Sequence, residues 1–272
     1  MAIRGRRRPD TPPILQHKDY RQPSVFAPEN LLREARRQKG LPERTVPSIC
    51  VLDPDGDIVR SLLAANQAMR DQHWACYHTQ LYTFEHDRMP LGIIGCVVGA
   101  PFAVLVAEEL FACGCQLLIS VTSSGLIQPT ETPPFFVLIE RALRDEGTSY
   151  HYLPPSNYAH LDDRVLAALD GAFAELRLPV HRGATWTTDA PFRETPPAIE
   201  YARSEGIVAV EMEAAGLYAL ARARERPIVC FAHVTNRMGN VVGDFEKGAA
   251  GGSRDALQLI ATAARAWMTR NP

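Results

Sequence analysis

From Pro47 onward, short apolar runs of strand length alternate with segments whose apolar residues recur at helical spacing. The runs at residues 48–52, 91–98, 117–122, 136–142, 207–210 and 228–234 predict strands, and the periodic segments at 58–72, 102–113, 162–176, 197–205, 214–226 and 253–268 predict helices. Alternation of this kind is the pattern of βα units. The expected fold class is therefore α/β, a single domain with a central mixed, mainly parallel sheet flanked by helices. Residues 1–46 differ, being rich in Pro, Arg and Gln with one short helical stripe over 28–38. The expected organisation is an N-terminal arm over 1–46 and one α/β domain over 47–272.

Composition narrows the function class. With 46% hydrophobic and 22% charged residues in a chain of 272, a sizeable core is expected. The net charge of -2 disfavours a nucleic-acid partner, although residues 1–40 alone carry ten Lys/Arg against four Asp/Glu. Two nearly uncharged stretches, 89–107 and 110–130, approach membrane-spanning length. Gly95, Gly99 and Pro101 interrupt the first and a Thr/Ser/Gly/Gln/Pro cluster the second, so buried strands and helices, not membrane spans, are expected. No secretory pattern follows the arginines of the first ten residues, which predicts a cytoplasmic protein. The six cysteines lie mostly in apolar runs without paired-ligand spacing, and no HExxH occurs, so reduced core thiols and no metal are expected.

Candidate chemistry sits at the carboxyl ends of the predicted strands, where α/β folds bind ligands. After the first strand comes Asp53-Pro54-Asp55-Gly56-Asp57-Ile58-Val59-Arg60, a turn into a helix with free N–H groups and an arginine suited to an anion. The third strand ends in Ser120-Val121-Thr122-Ser123-Ser124-Gly125, rich in hydroxyl groups that can bond phosphate or sugar oxygens. Glu211-Met212-Glu213 sets two carboxylates among apolar residues, an arrangement costly to bury unless they are paired or used. The last strand ends in Thr235-Asn236-Arg237-Met238-Gly239. Dinucleotide, Walker and serine-hydrolase motifs are absent from the sequence.

Taken in order, these junctions resemble the nucleoside phosphorylase and nucleosidase superfamily, most closely its uridine phosphorylase branch. Gly56 to Arg60 resembles the GDPxR phosphate loop, Gly99-Ala100-Pro101 the glycine-rich turn, and Ser124 to Pro129 the TGAIQP segment. Arg144 to His151 resembles the RxDGxSxH stretch, Glu211 to Ala215 the EMEAA ribose signature, and Thr235-Asn236-Arg237 the VNR of uridine phosphorylases.

The resemblance implies a pentosyltransferase that splits a nucleoside with phosphate into free base and ribose 1-phosphate. It implies no metal or organic cofactor, phosphate as co-substrate, no nucleic-acid or membrane partner, and a homo-oligomer, a dimer or ring of dimers, with the arm lying on a neighbouring subunit. By the same resemblance Glu213, Arg60 and Asn236 are the catalytic candidates. Glu213 would hold ribose hydroxyls, Met212 would pack on the sugar, Arg60 and Gly56 would contact phosphate, and Asn236 with the 187–193 loop would face the base. Ser123, Ser124, Gly125, Asp189, Arg193, Glu211 and Thr235 complete the expected substrate site. Three positions depart from the pattern: Ser120 stands where phosphorylases carry an arginine, Thr79 near a second phosphate arginine, and Ala27 where the arm carries a histidine. A nucleosidase using water and a non-catalytic nucleoside-binding protein thus remain alternatives.

Overall fold

In a computed structural model that describes residues 11–128, 132–238, 247 and 249–271, ten strands and eight α-helices form one sheet with helices around it. The strands are β1 (Ile49–Asp53), β2 (Ala68–Arg70), β3 (Tyr82–His86), β4 (Met89–Gly95), β5 (Leu117–Leu126), β6 (Phe135–Asp145), β7 (Tyr158–His160), β8 (Val180–Thr188), β9 (Ile207–Glu211) and β10 (Ile228–Asn236). The helices are α1 (Pro28–Lys39), α2 (Asp57–Ala64), α3 (Ala100–Ala112), α4 (Ser149–Tyr152), α5 (Asp163–Ala168), α6 (Pro196–Ser204), α7 (Ala214–Arg224) and α8 (Ser253–Arg270). Pro129 and Gly239 of the sequence motifs, and residues 1–10 of the arm, lie outside the described residues.

The α/β class with a mixed central sheet flanked by helices is as the pattern predicts, and the two longest registers, β8 on β6 and β10 on β5, are parallel. Five of the ten strand pairings are parallel: β1 with β4 and β5, β10 with β5, and β8 with β6 and β9. The other five are antiparallel. Because β5 pairs with both β10 and β9, the order β5–β10–β6–β8–β9 closes on itself, with β1, β4, β3 and β2 extending from β5. Closure brings the carboxyl ends of β1, β5, β9 and β10 to one place. Completely buried strands such as β1 and β10 explain why their sequences read as continuous apolar runs.

Strands β2, β3, β7 and β8 and helix α4 lie where the pattern predicts none. The helix expected over 58–72 stops at Ala64, because Asn66 turns left-handed and Gln67 N–H closes the end on the Leu62 carbonyl. The helix expected over 162–176 stops at Ala168 for a similar reason, with Gly171 at a φ of 72° just beyond. In the described part of the arm, Leu32 and Ala35 of α1 are buried, Lys18 meets His151, and the Tyr20 hydroxyl bonds the Tyr150 carbonyl.

Helices α3 and α7 pack so closely that a Cβ at Gly216 would stand 2.8 Å from Ala100 Cβ and 3.3 Å from Val104 Cγ2. The contact matters for the site, since α3 begins directly after Gly99 and α7 directly after Glu213. Gly216→Val is expected to cost about 1–3 kcal/mol by overpacking this contact. A denaturation midpoint equal to that of the parent would refute the close approach.

Candidate active site

The turn after β1 is built by its three aspartates. Asp53 is buried, and its Oδ2 accepts the Val59 N–H at 2.9 Å, capping the first turn of α2. Burial pushes its carboxyl up to about 7, against the pull of that N–H. Gly56, at a φ of 75°, lets the chain turn into α2 at the N-cap position. Asp57 opens the helix and binds two cations, Arg60 at 2.5 Å and Lys247 at 2.5 Å. Burial works against its charge, but these two partners outweigh it and lower its pKa. Asp55, between them, reaches across to β5: its Oδ2 accepts the Ser123 N–H at 2.7 Å, and Lys247 Nζ lies 3.5 Å from its Oδ1.

The two glutamates at the end of β9 and just beyond it have separate tasks. Glu211 is buried and receives four hydrogen bonds, from the Thr185 hydroxyl at 3.0 Å, the Thr187 hydroxyl, and the N–H groups of Glu213 and Ala214 at 2.7 Å each. Glu213 stands at the N-cap position of α7 and its side chain turns towards α3, where Oε1 accepts the Gly99 N–H at 2.7 Å, while Oε2 accepts the Met212 N–H at 3.3 Å. Burial raises both carboxyls, and the charge of Glu211 adds to the effect on Glu213, which is pushed up to about 8. With four donors aimed at it, Glu211 is the member of the pair better suited to hold the negative charge.

A cleft of about 740 Å³ opens over these groups. Asp55, Thr122, Ser123, Met212, Glu213 and Lys247 border one part of it. Another part is apolar, with Ile199 and Met238 packed on the cluster that contains Val210, and with Pro191, Phe192 and Glu194 from the segment before α6. Burial alone pushes the Glu194 carboxyl up to about 7. The volume suits a small organic molecule with a polar and an apolar half. Among the described residues no His, Cys, Asp and Glu cluster is arranged to hold a metal ion.

Of the residues expected from the sequence, Ser123, Gly125, Glu211, Met212, Glu213 and Asn236 border this cleft. The others do not, and the reasons are local. Arg60 is drawn to Asp57 three residues back and to the Asp55 carbonyl, leaving its side chain 61% exposed and away from the cleft lining. Gly56 serves the turn. Ser124 is buried in β5, and the Thr235 hydroxyl is engaged with Ser123 Oγ at 3.0 Å. Asp189 accepts the Gly147 N–H at 2.8 Å and borders a second groove beside the arm, while Arg193 is exposed in a short 3-10 turn. Even Asn236 spends its amide locally, Oδ1 accepting from Met238 N–H at 2.9 Å and Nδ2 lying 3.4 Å from the Ser124 carbonyl. Arg144 is structural, bonding Ser149, Ser156 and the Leu153 and Pro154 carbonyls.

Lys247 was not singled out in the sequence. It lies between glycines and acidic residues without an apolar pattern, and only the fold reveals the two aspartates it joins. Ser120 is buried, with its hydroxyl unbonded among the described residues. Thr79, near the other missing arginine, accepts the Trp74 indole N–H at 2.9 Å and is absent from the cleft lining.

A cleft at converging strand ends, with carboxylates on one side and apolar groups on the other, defines an α/β protein built to hold a small polar molecule. The chain matches the phosphorylase superfamily over residues 48–265 and belongs to it. It is 30% identical to the uridine phosphorylase of Thermococcus kodakarensis over 195 residues, covering 66% of this chain and 70% of that one. To the guanosine phosphorylase of Halorubrum lacusprofundi it is 29% identical, over 60% of this chain and 67% of the relative. A uridine phosphorylase structure from Vibrio fischeri shares the fold with a TM-score of 0.69 at 18% identity, over 83% of this chain and 92% of that one. A 5'-methylthioadenosine/S-adenosyl homocysteine nucleosidase from Campylobacter jejuni gives 0.64 at 15%, over 81% and 98%. The resemblance read from the junctions is borne out, and the chain is an enzyme of the nucleoside phosphorylase family.

Proposed function

We propose that this protein cleaves the N-glycosidic bond of a nucleoside, with Glu213 holding the ribose and water accepting the ribosyl group. The observation that carries the cleavage is the buried Glu213 at the cleft wall beside Gly99 and Thr122, backed by Glu211. Breaking the bond leaves positive charge on the sugar. A carboxylate that accepts the sugar hydroxyls in the ground state attracts that charge more strongly as it develops, which is the differential binding that lowers a barrier. Met212 borders the same part of the cleft and offers an apolar surface to the sugar, and the wall of Val210, Ile199 and Met238 suits a planar base.

Water as the acceptor is supported by the groups around Asp55. A phosphate dianion needs cations and N–H donors. Here the Ser123 N–H is already bonded to Asp55, Arg60 is held by Asp57, and Ser120 offers no charge. Phosphate is the second reading. It is favoured by the relatives, a uridine and a guanosine phosphorylase, and by Lys247 on the cleft lining. The expected result with phosphate dialysed away is base release at an unchanged rate, with free ribose as the sugar product. Release that needs phosphate and yields ribose 1-phosphate would select the second reading, and no release from any nucleoside of a panel would overturn both.

A further inference from the structure

Asp55 has no place in the functional reading taken from the sequence, yet it makes the contact that most constrains the acceptor. Its Oδ2 lies 2.7 Å from the nitrogen of Ser123, which lies in the second half of β5 and on the cleft lining. An oxyanion bonded to that N–H would have to occupy the space the carboxylate now fills, since one N–H directs its hydrogen to one oxygen position at this distance. Lys247, which also borders the cleft, lies 3.5 Å from Asp55 and is bound to Asp57 as well. The loop thus presents a negative side chain, itself held by a donor and a cation, where an anionic acceptor would need both.

We infer that Asp55 selects the acceptor: its carboxylate fills the seat of an oxyanion and instead directs a water molecule at the sugar, so that removing this one carboxylate admits phosphate. The inference rests on the proposed cleavage with water. In the step, the water oxygen forms a bond to the anomeric carbon as the carbon–nitrogen bond breaks, and the electron pair of that bond goes to the base nitrogen. Asp55 takes the proton that the water loses and later returns it to solvent, and the base takes a proton from solvent. The products are ribose and free base, with no change of oxidation state. Phosphate admitted in place of the carboxylate would find the Ser123 N–H and the Lys247 ammonium unoccupied by Asp55, and would attack the same carbon to give ribose 1-phosphate.

The test uses the full-length protein, a cleaved nucleoside, and product analysis with and without millimolar inorganic phosphate. Asp55→Ala is expected to lose about a hundredfold in hydrolysis, the low end of what a positioned proton acceptor contributes. Added phosphate should restore cleavage in this variant, with ribose 1-phosphate replacing ribose. Asp55→Asn keeps an oxygen for Ser123 and keeps the seat filled, so it should lose hydrolysis to a similar extent without rescue by phosphate, and it covers the case of an unfolded alanine variant. Phosphate-dependent cleavage by the parent protein would overturn the water reading itself. If the parent hydrolyses the nucleoside while folded Asp55→Asn does so at the parental rate, the role of Asp55 is overturned and the water reading stands. A folded Asp55→Ala that still binds nucleoside but yields no ribose 1-phosphate with phosphate present would overturn the acceptor switch.

Discussion

Glu213→Gln is expected to lower the rate of base release by about a thousandfold while leaving the protein folded. That factor corresponds to about 4 kcal/mol of transition-state stabilisation. The amide keeps an oxygen for the Gly99 N–H, so the start of α3 stays where it is. What it removes is the negative charge that the electron-poor sugar requires, and the loss should appear in kcat more than in KM. Stability should move the other way. Glu213 has its carboxyl raised from an ordinary 4.5 to about 8, first by burial and then by Glu211. A group raised in the folded state contributes stability that is fully present below the unfolded value and is lost as pH rises through the folded one. The parent should therefore lose stability relative to Glu213→Gln between about pH 4.5 and pH 8. Sugar hydroxyls donating to Glu213 favour its ionised form, so nucleoside binding should release protons near neutral pH and strengthen as pH rises towards 8. Parental turnover by the glutamine variant, or a stability gap that widens towards low pH, would remove Glu213 from this role.

Much of the fold was legible because the strands around the site are buried on both faces. β1, β5 and β10 read as apolar runs, and the polar residues that end the pattern mark the cleft. β8 escaped because its buried half is Ala-Thr-Trp-Thr-Thr, in which hydroxyl-bearing residues look like loop solvation. Those hydroxyls are buried to bond Glu211, a partner that sequence spacing does not reveal. β2, at the sheet edge, and β3 beside it are short strands with largely exposed or half-buried residues, and so carry little apolar signal.

The candidate site was legible where the chain supplies its groups consecutively and obscure where they converge from afar. Glu211-Met212-Glu213 is one segment, and all three residues border the cleft. Arg60 was expected at the acceptor because an arginine after a glycine turn suits an anion, but charge balance within the loop decided otherwise. Three aspartates stand within five residues, and Asp57 is close enough on the helix to hold the arginine. That the remaining negative charge is met by Lys247 depends on a chain reversal of some length, which no local pattern carries.

Glu211→Ala should be the most damaging single substitution for stability, at about 3–5 kcal/mol. The carboxylate is 3% exposed and satisfies two backbone N–H groups and two threonine hydroxyls. Truncation leaves all four without their acceptor, and a buried donor deprived of its partner costs about 1–3 kcal/mol. The hydroxyls can turn to other acceptors, whereas the N–H groups of Glu213 and Ala214 are fixed by the start of α7, so the total falls below the sum of four. Glu211→Gln separates charge from geometry. Its oxygen can face the two N–H groups, its amide can donate to the hydroxyls, and the repulsion that raises Glu213 disappears. It should cost about 1–2 kcal/mol, within the range for altering a hydrogen bond to a charged group. Urea unfolding of the two variants checks both values. Equal and small losses would mean that the four donors find water or other partners, and that β8, β9 and α7 are held together by their apolar faces alone.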